Sequence, residues 1–331
     1  MSALEEYAIC PIIQHNEENP EVTNLFKILK RASALTIALA AAIALTSCGT
    51  DTETGKNDGE ITPNNAELSV SEIFEKAMEN TASIKSASYS IGMDMEMSSE
   101  GTDFSIATTG NIKMTADPME YEMTLDMDMG EEIGSMTTTS YLVNEDGKQV
   151  LYSGVVYGGE TFWSKQYDAT LDSFEQYNAM ENIEMYLENA ESFKENGTDN
   201  INGTEAVRYD GTITGESLEN AINSTLGDLG TSIDGTDLSA SEIFNGIGDL
   251  TLSVWIDKET LTVRKYEMDM SEIMSKLFEN MSADDESLAG IDVSKVFLSM
   301  TVSSYNDIDS ITVPDDVKSA AEQTDLYGDV G

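Results

Sequence analysis

The chain has 331 residues, and 40% of them are hydrophobic, enough to fill a core and too many for a disordered polymer. It carries 17 lysines and arginines against 62 aspartates and glutamates, a net charge of −45. Such a surface repels phosphate backbones and anionic head groups, which excludes nucleic acid as a partner and electrostatic adhesion to a bilayer.

Residues 1–26 contain no lysine or arginine, which does not suit an export leader, and translation is expected to begin further in, near Val22 or Leu25. Lys27-Ile28-Leu29-Lys30-Arg31 is a basic segment, and Ala32–Leu45 is an apolar run of mostly Ala, Leu and Ile. Together they have the form of a secretory signal peptide. The run is shorter than the ~20 apolar residues that cross a bilayer. Leu45-Thr46-Ser47-Cys48 resembles the bacterial lipobox, where small residues admit the peptidase and a thiol takes a diacylglycerol. The resemblance implies that residues 1–47 are removed and that Cys48 becomes the lipidated first residue. The mature part then keeps a net charge of −43, loses Cys10 and so any internal disulfide, and loses His15, the one histidine. Residues 48–68 (Gly-, Thr- and acid-rich) read as the lipidated cysteine and a flexible tether.

Ser69 or Ser71 caps a helix with Glu72 in its first turn, and Ile73, Phe74, Ala77, Met78, Thr81 and Ile84 share one of its faces. After Ser86 the period changes to two. Tyr89, Ile91, Met93, Met95 and Met97 alternate with polar residues, and Phe104, Ile106 and Thr108 follow a turn. The clearest strand follows Asp117-Pro118, with Met119, Tyr121, Met123, Leu125, Met127 and Met129 on one face and acids or threonine on the other. Asn144–Gly147 and Gly158-Gly159 are hairpin turns between Tyr141–Val143, Val150–Val156 and Thr161–Trp163. Leu171–Lys194 lacks Gly and Pro and reads as a helix ending at Asn196-Gly197. Ala206–Ile213 is a strand, and Ser217–Leu226 and Ser241–Ile247 are short helix candidates. Leu252, Val254 and Ile256 form a strand, Asp257–Thr260 turns, and Leu261–Met270 returns with a bulge between Val263 and Tyr266. Met270–Met281 is helical, Val296–Val302 is a last alternating strand, Ile311–Pro314 closes the domain, and the acidic end from Ser319 is loose. No βαβ alternation occurs, so the sheet is antiparallel.

Three segments carry a resemblance: the opening helix 71–85 with its strand Tyr89–Met97, Asn202–Tyr209, and the hairpin Val254–Lys265. They are similar to LolA-, LppX- and LprG-like lipoproteins and to uncharacterised lipoproteins of Gram-positive bacteria, over residues 69–316, with 317–331 left as an acidic tail. The resemblance implies an α+β fold, a strongly curved antiparallel half-barrel wrapping helices on its concave side. It also implies binding of lipids or acyl chains in the hollow, with no enzymatic activity. It transfers no ligand residue by position. The acidic surface and the long segments 216–248 and 270–295 depart from carriers that move lipid between membranes.

Eight of the 18 methionines lie between Met93 and Met129. Methionine is flexible and polarizable, so Met93, Met95, Met119, Tyr121, Met123, Leu125 and Met127 are candidates for the lining of an adaptable apolar cavity. The more economical alternative is ordinary core beneath the helices. Thioether binding of Cu(I) by Met-x-Met has no support beyond the strand spacing. Asp126 with Asp128, the Asp284–Glu286 cluster and Asp234–Asp237 lack the ligand spacing of a calcium loop. No nucleophile elbow, phosphate loop or zinc motif is present, and among so many acids some carboxylate pair is always near. The expectation is therefore a non-enzymatic lipoprotein, without cofactor or bound metal, anchored at the cell membrane and facing the extracytoplasmic side. It holds a lipid or other hydrophobic ligand between sheet and helices, or else is a cell-envelope structural or protein-interaction lipoprotein whose core is filled by its own side chains.

Overall fold

The computed structural model describes residues 68–325 apart from 100, 131–133, 158, 168–188, 227–243, 283–287 and 289. It opens with helix α1 (Val70–Ala82). Ser69 is its cap: the Glu72 amide donates to Ser69 Oγ, and the Ser69 amide donates to the Glu72 carboxylate at 2.8 Å. This reciprocal pair satisfies two of the amides that a helix start leaves free.

Six strands follow as a meander: β1 (Ser86–Ser99), β2 (Thr102–Ala116), β3 (Met119–Asp128), β4 (Ser135–Glu145), β5 (Lys148–Tyr157) and β6 (Glu160–Tyr167). A second meander comprises β7 (Lys194–Ile201), β8 (Thr204–Ile213), β9 (Leu250–Asp257), β10 (Val263–Asp269) and β11 (Ile291–Tyr305). Helices α2 (Gly215–Leu226) and α3 (Ser271–Ser282) interrupt the second meander, and α4 (Asp315–Asp325) follows it. β1 and β11 pair antiparallel over their length, which fuses the two meanders into one sheet of order β6-β5-β4-β3-β2-β1-β11-β10-β9-β8-β7. The sheet is curled, unclosed and antiparallel, an α+β architecture of the half-barrel type expected.

The expected bulge between Val263 and Tyr266 is present as a register shift between Val263 and Lys265. The turn before it is organised by Asp257, whose carboxylate accepts the amides of Glu259 and Thr260 and pairs with Arg264 at 2.8 Å. Burial alone raises the Asp257 pKa, but these donors outweigh it and hold the carboxyl below its ordinary value.

Three expectations are corrected. The helix expected over Leu171–Lys194 is not continued in its described part: Ala190–Ser192 is a single 3-10 turn, and Lys194 already begins β7. Residues 171–188 of that helix lie outside the described residues. Ser241–Ile247 is not helical at 244–247, where Gly246 takes a φ of 68° that ends any helical run. The acidic end is not loose from Ser319. α4 runs to Asp325 and buries Val317 and Ala321, one turn apart, against the sheet.

The main core sits in the hollow. α1 buries Phe74, Ala77 and Met78, and α3 buries Ile273, Met274, Leu277, Phe278 and Met281. Both faces meet Met93, Met95 and Met97 of β1 together with the inner residues of β8–β11. Phe74 sits at its centre, with ring centroids 4.7 Å from Phe193 and 5.6 Å from Tyr209. Replacing Phe74 by Ala empties a site where the surrounding sheet cannot collapse. The variant is expected to lose about 3–5 kcal/mol of stability in chemical denaturation; a loss under about 1 kcal/mol contradicts this placement of the core.

Candidate functional site

Cross-strand register decides which residues share the hollow. Met93 of β1 stands opposite Thr108 of β2, Thr108 opposite Met127 of β3, and Met127 opposite Met136 of β4. The inner face therefore carries Met119, Tyr121, Met123, Leu125 and Met127 of β3, and the even-numbered residues of β4. Of the candidate lining residues, Met93 and Met95 are 4% and 1% exposed and lie in the helix-covered core. Met119, Tyr121, Met123 and Met127 are half-buried, and Leu125 is buried. These five lie on the half of the inner face formed by β2–β6. Gly110 lets Leu125 lie across β2: a Cβ there would collide with the Leu125 side chain and the Thr124 carbonyl.

This wall continues onto β4–β6. Leu142 and Leu151 are buried in a small cluster with Met119 and Tyr121 that includes no helix residue among those described. Val155 is buried next to them in the sheet, and Phe162, opposite it on the edge strand, is 40% exposed. Burial pushes the Tyr121 phenol up to about 12, so it stays protonated and uncharged at any physiological pH. No lysine or arginine occupies an inner-face position of β2–β6.

Sequence reasoning missed a row of hydroxyls on the same wall. Ser140, Ser153 and Ser164 stand directly opposite one another on β4, β5 and β6. Ser153 Oγ and Thr108 Oγ1 are buried without a hydrogen-bond partner. A buried hydroxyl left unpaired costs about 1–3 kcal/mol. In the sequence these residues read as ordinary solvent-facing positions of alternating strands.

The opposite face of the same strands is closed by the chain's C-terminal strap. Tyr141, Val143, Val150 and Tyr152 pack against Ile311, Val313, Val317 and Ala321. Glu120, 9% exposed, accepts the amides of Asn144 and Ile311 at 3.1 and 3.3 Å, joining strand β4 and the strap to β3. Glu145 receives Lys318 of α4 at 2.9 Å, the Tyr152 hydroxyl at 3.0 Å and Lys165 at 3.5 Å. Burial raises the Glu145 pKa, but the hydrogen bonds from Lys318 and Tyr152 and the charges of Lys318 and Lys165 outweigh it, and the net shift is downward. Lys165 reaches this cluster over the rings of Tyr152 and Tyr167, at 4.9 and 4.7 Å.

Asp126 and Asp128, weighed as calcium ligands, are engaged otherwise: Asp126 accepts from Thr137 Oγ1, and Asp128 accepts the Gly130 amide. Among the described residues no group of His, Cys, Asp or Glu is arranged to hold a metal, and no helix is long and apolar enough to cross a membrane. A depression of about 360 Å³ lies between Gly246–Gly248 and α3, and its α3 side includes Lys276 and Glu279, which pair with each other at 2.7 Å. Leu45, Thr46, Ser47, Cys48 and the acids at 234–237 and 284–286 lie outside the described residues.

The chain is an unclosed, curled antiparallel sheet with helices in its hollow, an α+β half-barrel of the kind expected. More narrowly, it belongs to a family of unknown function (DUF6612), whose pattern matches residues 69–322 and so takes in most of the strap. No curated protein matches it. Among solved structures it is similar to LprF from Mycobacterium bovis, with 12% identity over 74% of this chain and 96% of that one and a TM-score of 0.39. It is also similar to a DUF1329 family protein from Desulfovibrio piger ATCC 29098, with 10% identity over 73% and 95% and a TM-score of 0.22. A third is a putative outer membrane lipoprotein-sorting protein domain from Vibrio parahaemolyticus, with 10% identity over 76% and 98% and a TM-score of 0.24.

The Glu145 clamp has a pH signature. Its folded pKa lies below the usual glutamate value of about 4.3, so its contribution is complete above that value and lost as pH falls through the lower folded one. Protection of the α4 amides against hydrogen exchange, taken relative to the intrinsic rate at each pH, is expected to fall in the wild type only below the ordinary glutamate range. Glu145→Gln should loosen α4 at neutral pH by about 1–2 kcal/mol and flatten the acid response. An unchanged exchange rate in the variant removes the clamp from this account.

Proposed function

We propose that the protein is a lipid-anchored, extracytoplasmic binding lipoprotein, not an enzyme, that holds a hydrophobic ligand against the inner face of β2–β6. The observation that carries this reading is the uneven covering of the hollow. α1 and α3 fill the half formed by β1 and β8–β11, and this core reaches Phe104 and Ile106 at one end of β2 and Met136 at the start of β4. The Met- and Leu-lined wall of β3–β5 packs into a cluster to which no described helix contributes. Methionine side chains adapt to ligands of different shape at little cost. The exposed Phe162 on edge strand β6 offers an apolar entrance. The basic segment, apolar run and Leu45-Thr46-Ser47-Cys48 support anchoring through Cys48. Each buried methylene of the anchor adds ~0.8 kcal/mol, so two acyl chains hold the chain on the membrane, and its acidic body stays off anionic head groups.

The burial of Met93, Met95 and Met97 favours a second reading, a cell-envelope interaction or structural protein whose hollow is filled by its own side chains. Two experiments decide. Metabolic labelling with a fatty-acid probe is expected to mark the wild-type chain and to be lost in Cys48→Ala; equal labelling of both removes the anchor. Native mass spectrometry and solvent extraction of the purified full chain are expected to release bound lipid beyond the anchor itself. Met123→Glu, which places a charge on the wall, should abolish that lipid, whereas Glu122→Gln on the outer face should not. A chain that carries no lipid at any load supports the self-filled reading instead.

A further inference from the structure

The chain contains three Asn-Gly dipeptides, at Asn196, Asn202 and Asn245, and all three asparagines are exposed. In such a pair the glycine has no Cβ to keep its amide nitrogen away from the asparagine side chain, so the nitrogen can close a ring on the side-chain carbonyl carbon. Ring closure needs a glycine amide that is not held elsewhere and a backbone that can swing. Two of the sites lack these conditions. The Gly203 amide donates to Asn200 Oδ1 at 2.9 Å, in a tight turn where Asn202 takes a φ of 52° and sends its own side-chain amide to the Val302 carbonyl at 2.9 Å. The Gly246 amide donates to the Glu219 carboxylate at 2.6 Å, and the Asn245 carbonyl accepts from Asn280. A carboxylate on that amide also opposes the negative charge that the nitrogen must gain before it attacks.

Asn196 differs in each respect. Gly197 lies in the bulge of β7, where the pairing with β8 shifts register between Glu195 and Thr198, and among the described residues no side chain accepts its amide. β7 is an edge strand exposed along nearly its whole length, so its opening breaks one ladder and uncovers little apolar surface. What holds the site is the Asn196 side-chain amide, which donates to Asp210 of β8 at 2.5 Å. Asp210 also receives Arg208 and Ser253, each at 2.6 Å.

We propose that Asn196 is a site of self-modification whose product releases edge strand β7. The Gly197 amide nitrogen gives up its proton to solvent and attacks Asn196 Cγ. The Cγ–Nδ2 bond breaks, and the departing nitrogen takes up a proton and leaves as ammonia. Water then opens the cyclic imide at one of its two carbonyls, giving aspartate or its β-linked isomer at position 196. Nothing is oxidised or reduced. The product carries a carboxylate where an amide donor stood, directly against Asp210, so the contact that tied β7 to β8 becomes a like-charge pair. The β-linked form also lengthens the backbone at the bulge. Both changes detach β7 and leave the edge of β8 open for pairing. None of this involves the ligand proposed above.

The test incubates the purified full chain in warm, mildly alkaline buffer. Timed samples are digested and mapped by mass spectrometry, which resolves aspartate from its isomer at each Asn-Gly. Asn196 should convert about tenfold faster than Asn202 or Asn245, because only the first lies on a strand that opens locally. Hydrogen exchange should show the β7 amides losing protection in the converted chain while those of β1 and β9 keep theirs. Asn196→Asp, expressed as such, should lack the same protection from the start, and adding Asp210→Asn should restore most of it. Conversion at Asn196 no faster than at the other two sites overturns the proposal. So does an Asn196→Asp chain whose β7 amides are as protected as those of the wild type, because the new charge then does not release the strand.

Discussion

An eleven-stranded antiparallel sheet that does not close has two large faces, and at least one must be covered along its whole width. This chain meets the requirement differently in its two halves. Over β8–β11 and β1 the inner face is covered, by α1 and α3, and the apolar surface buried there includes Phe74, Met274 and Phe278 at essentially zero exposure. Over β4–β6 the outer face is covered, by the strap that ends in α4. The change of side occurs over β2 and β3, beyond the β1–β11 seam where the two meanders meet. A half-sheet already stabilised from outside does not depend on helices in its hollow, which leaves that hollow available for another use.

Charge follows the same division of labour. In a chain with so few cations, several described ones are spent on the fold. Lys165 and Lys318 converge on Glu145, Arg264 closes the Asp257 turn while lying 5.1 Å over Tyr305, and Arg208 and Lys265 cover the buried ring of Trp255. The indole of Trp255 in turn donates to Asp199 at 2.7 Å, which ties edge strand β7 to β9 across β8. These residues lie on the outer face or at its turns, and the inner wall keeps none of them. The excess of acid lies mainly on the exterior, consistent with solubility and weak self-association, while the inner face of β2–β6 carries no lysine or arginine.

The parts of this architecture that were legible in the sequence are those where one face is wet and the other dry. β3 alternates without a fault from Met119 to Met127, and the capping box at Ser69 and the turn at Asp257 carry their own chemistry. β7 was illegible because it is an edge strand exposed along nearly its whole length: with no dry face it has no alternation, and its pairing with β8 is a backbone matter, bulged near Gly197 at a φ of 86°. It also follows a Glu-rich stretch that satisfies helix propensity. α4 was missed because it covers only a narrow seam, through Val317 and Ala321, and the rest of its surface is as acidic as a disordered tail. β4 and β5 showed apolar runs, Tyr141–Val143 and Val150–Tyr152, because both of their faces are buried; in such runs parity cannot say which residue looks inward. That ambiguity also hid the site. The methionines were visible, but which half of them lay under helices depends on β1 pairing with β11, a contact between residues some two hundred positions apart.

The same double burial links the strap to the wall. Tyr141, Leu142 and Val143 are consecutive residues of one strand; the first and third pack under the strap, and the second lies on the inner face beside Leu151. Ser153 follows Tyr152, whose hydroxyl is held in the Glu145 clamp. The backbone between such neighbours is a single pleat of about 3.4 Å per residue, so a displacement on the outside is felt on the inside. The outer packing thus sets how firmly the inner hydroxyls and methionines are held. Trp163 adds to it from β6, its ring lying across Gly154 where any Cβ would come within 2.7 Å, stacked 6.3 Å from Tyr141. An adaptable methionine surface gains selectivity only if the polar groups within it are fixed. In this fold the rigidity that holds Ser153 comes from the strap side of the sheet, opposite its inner face.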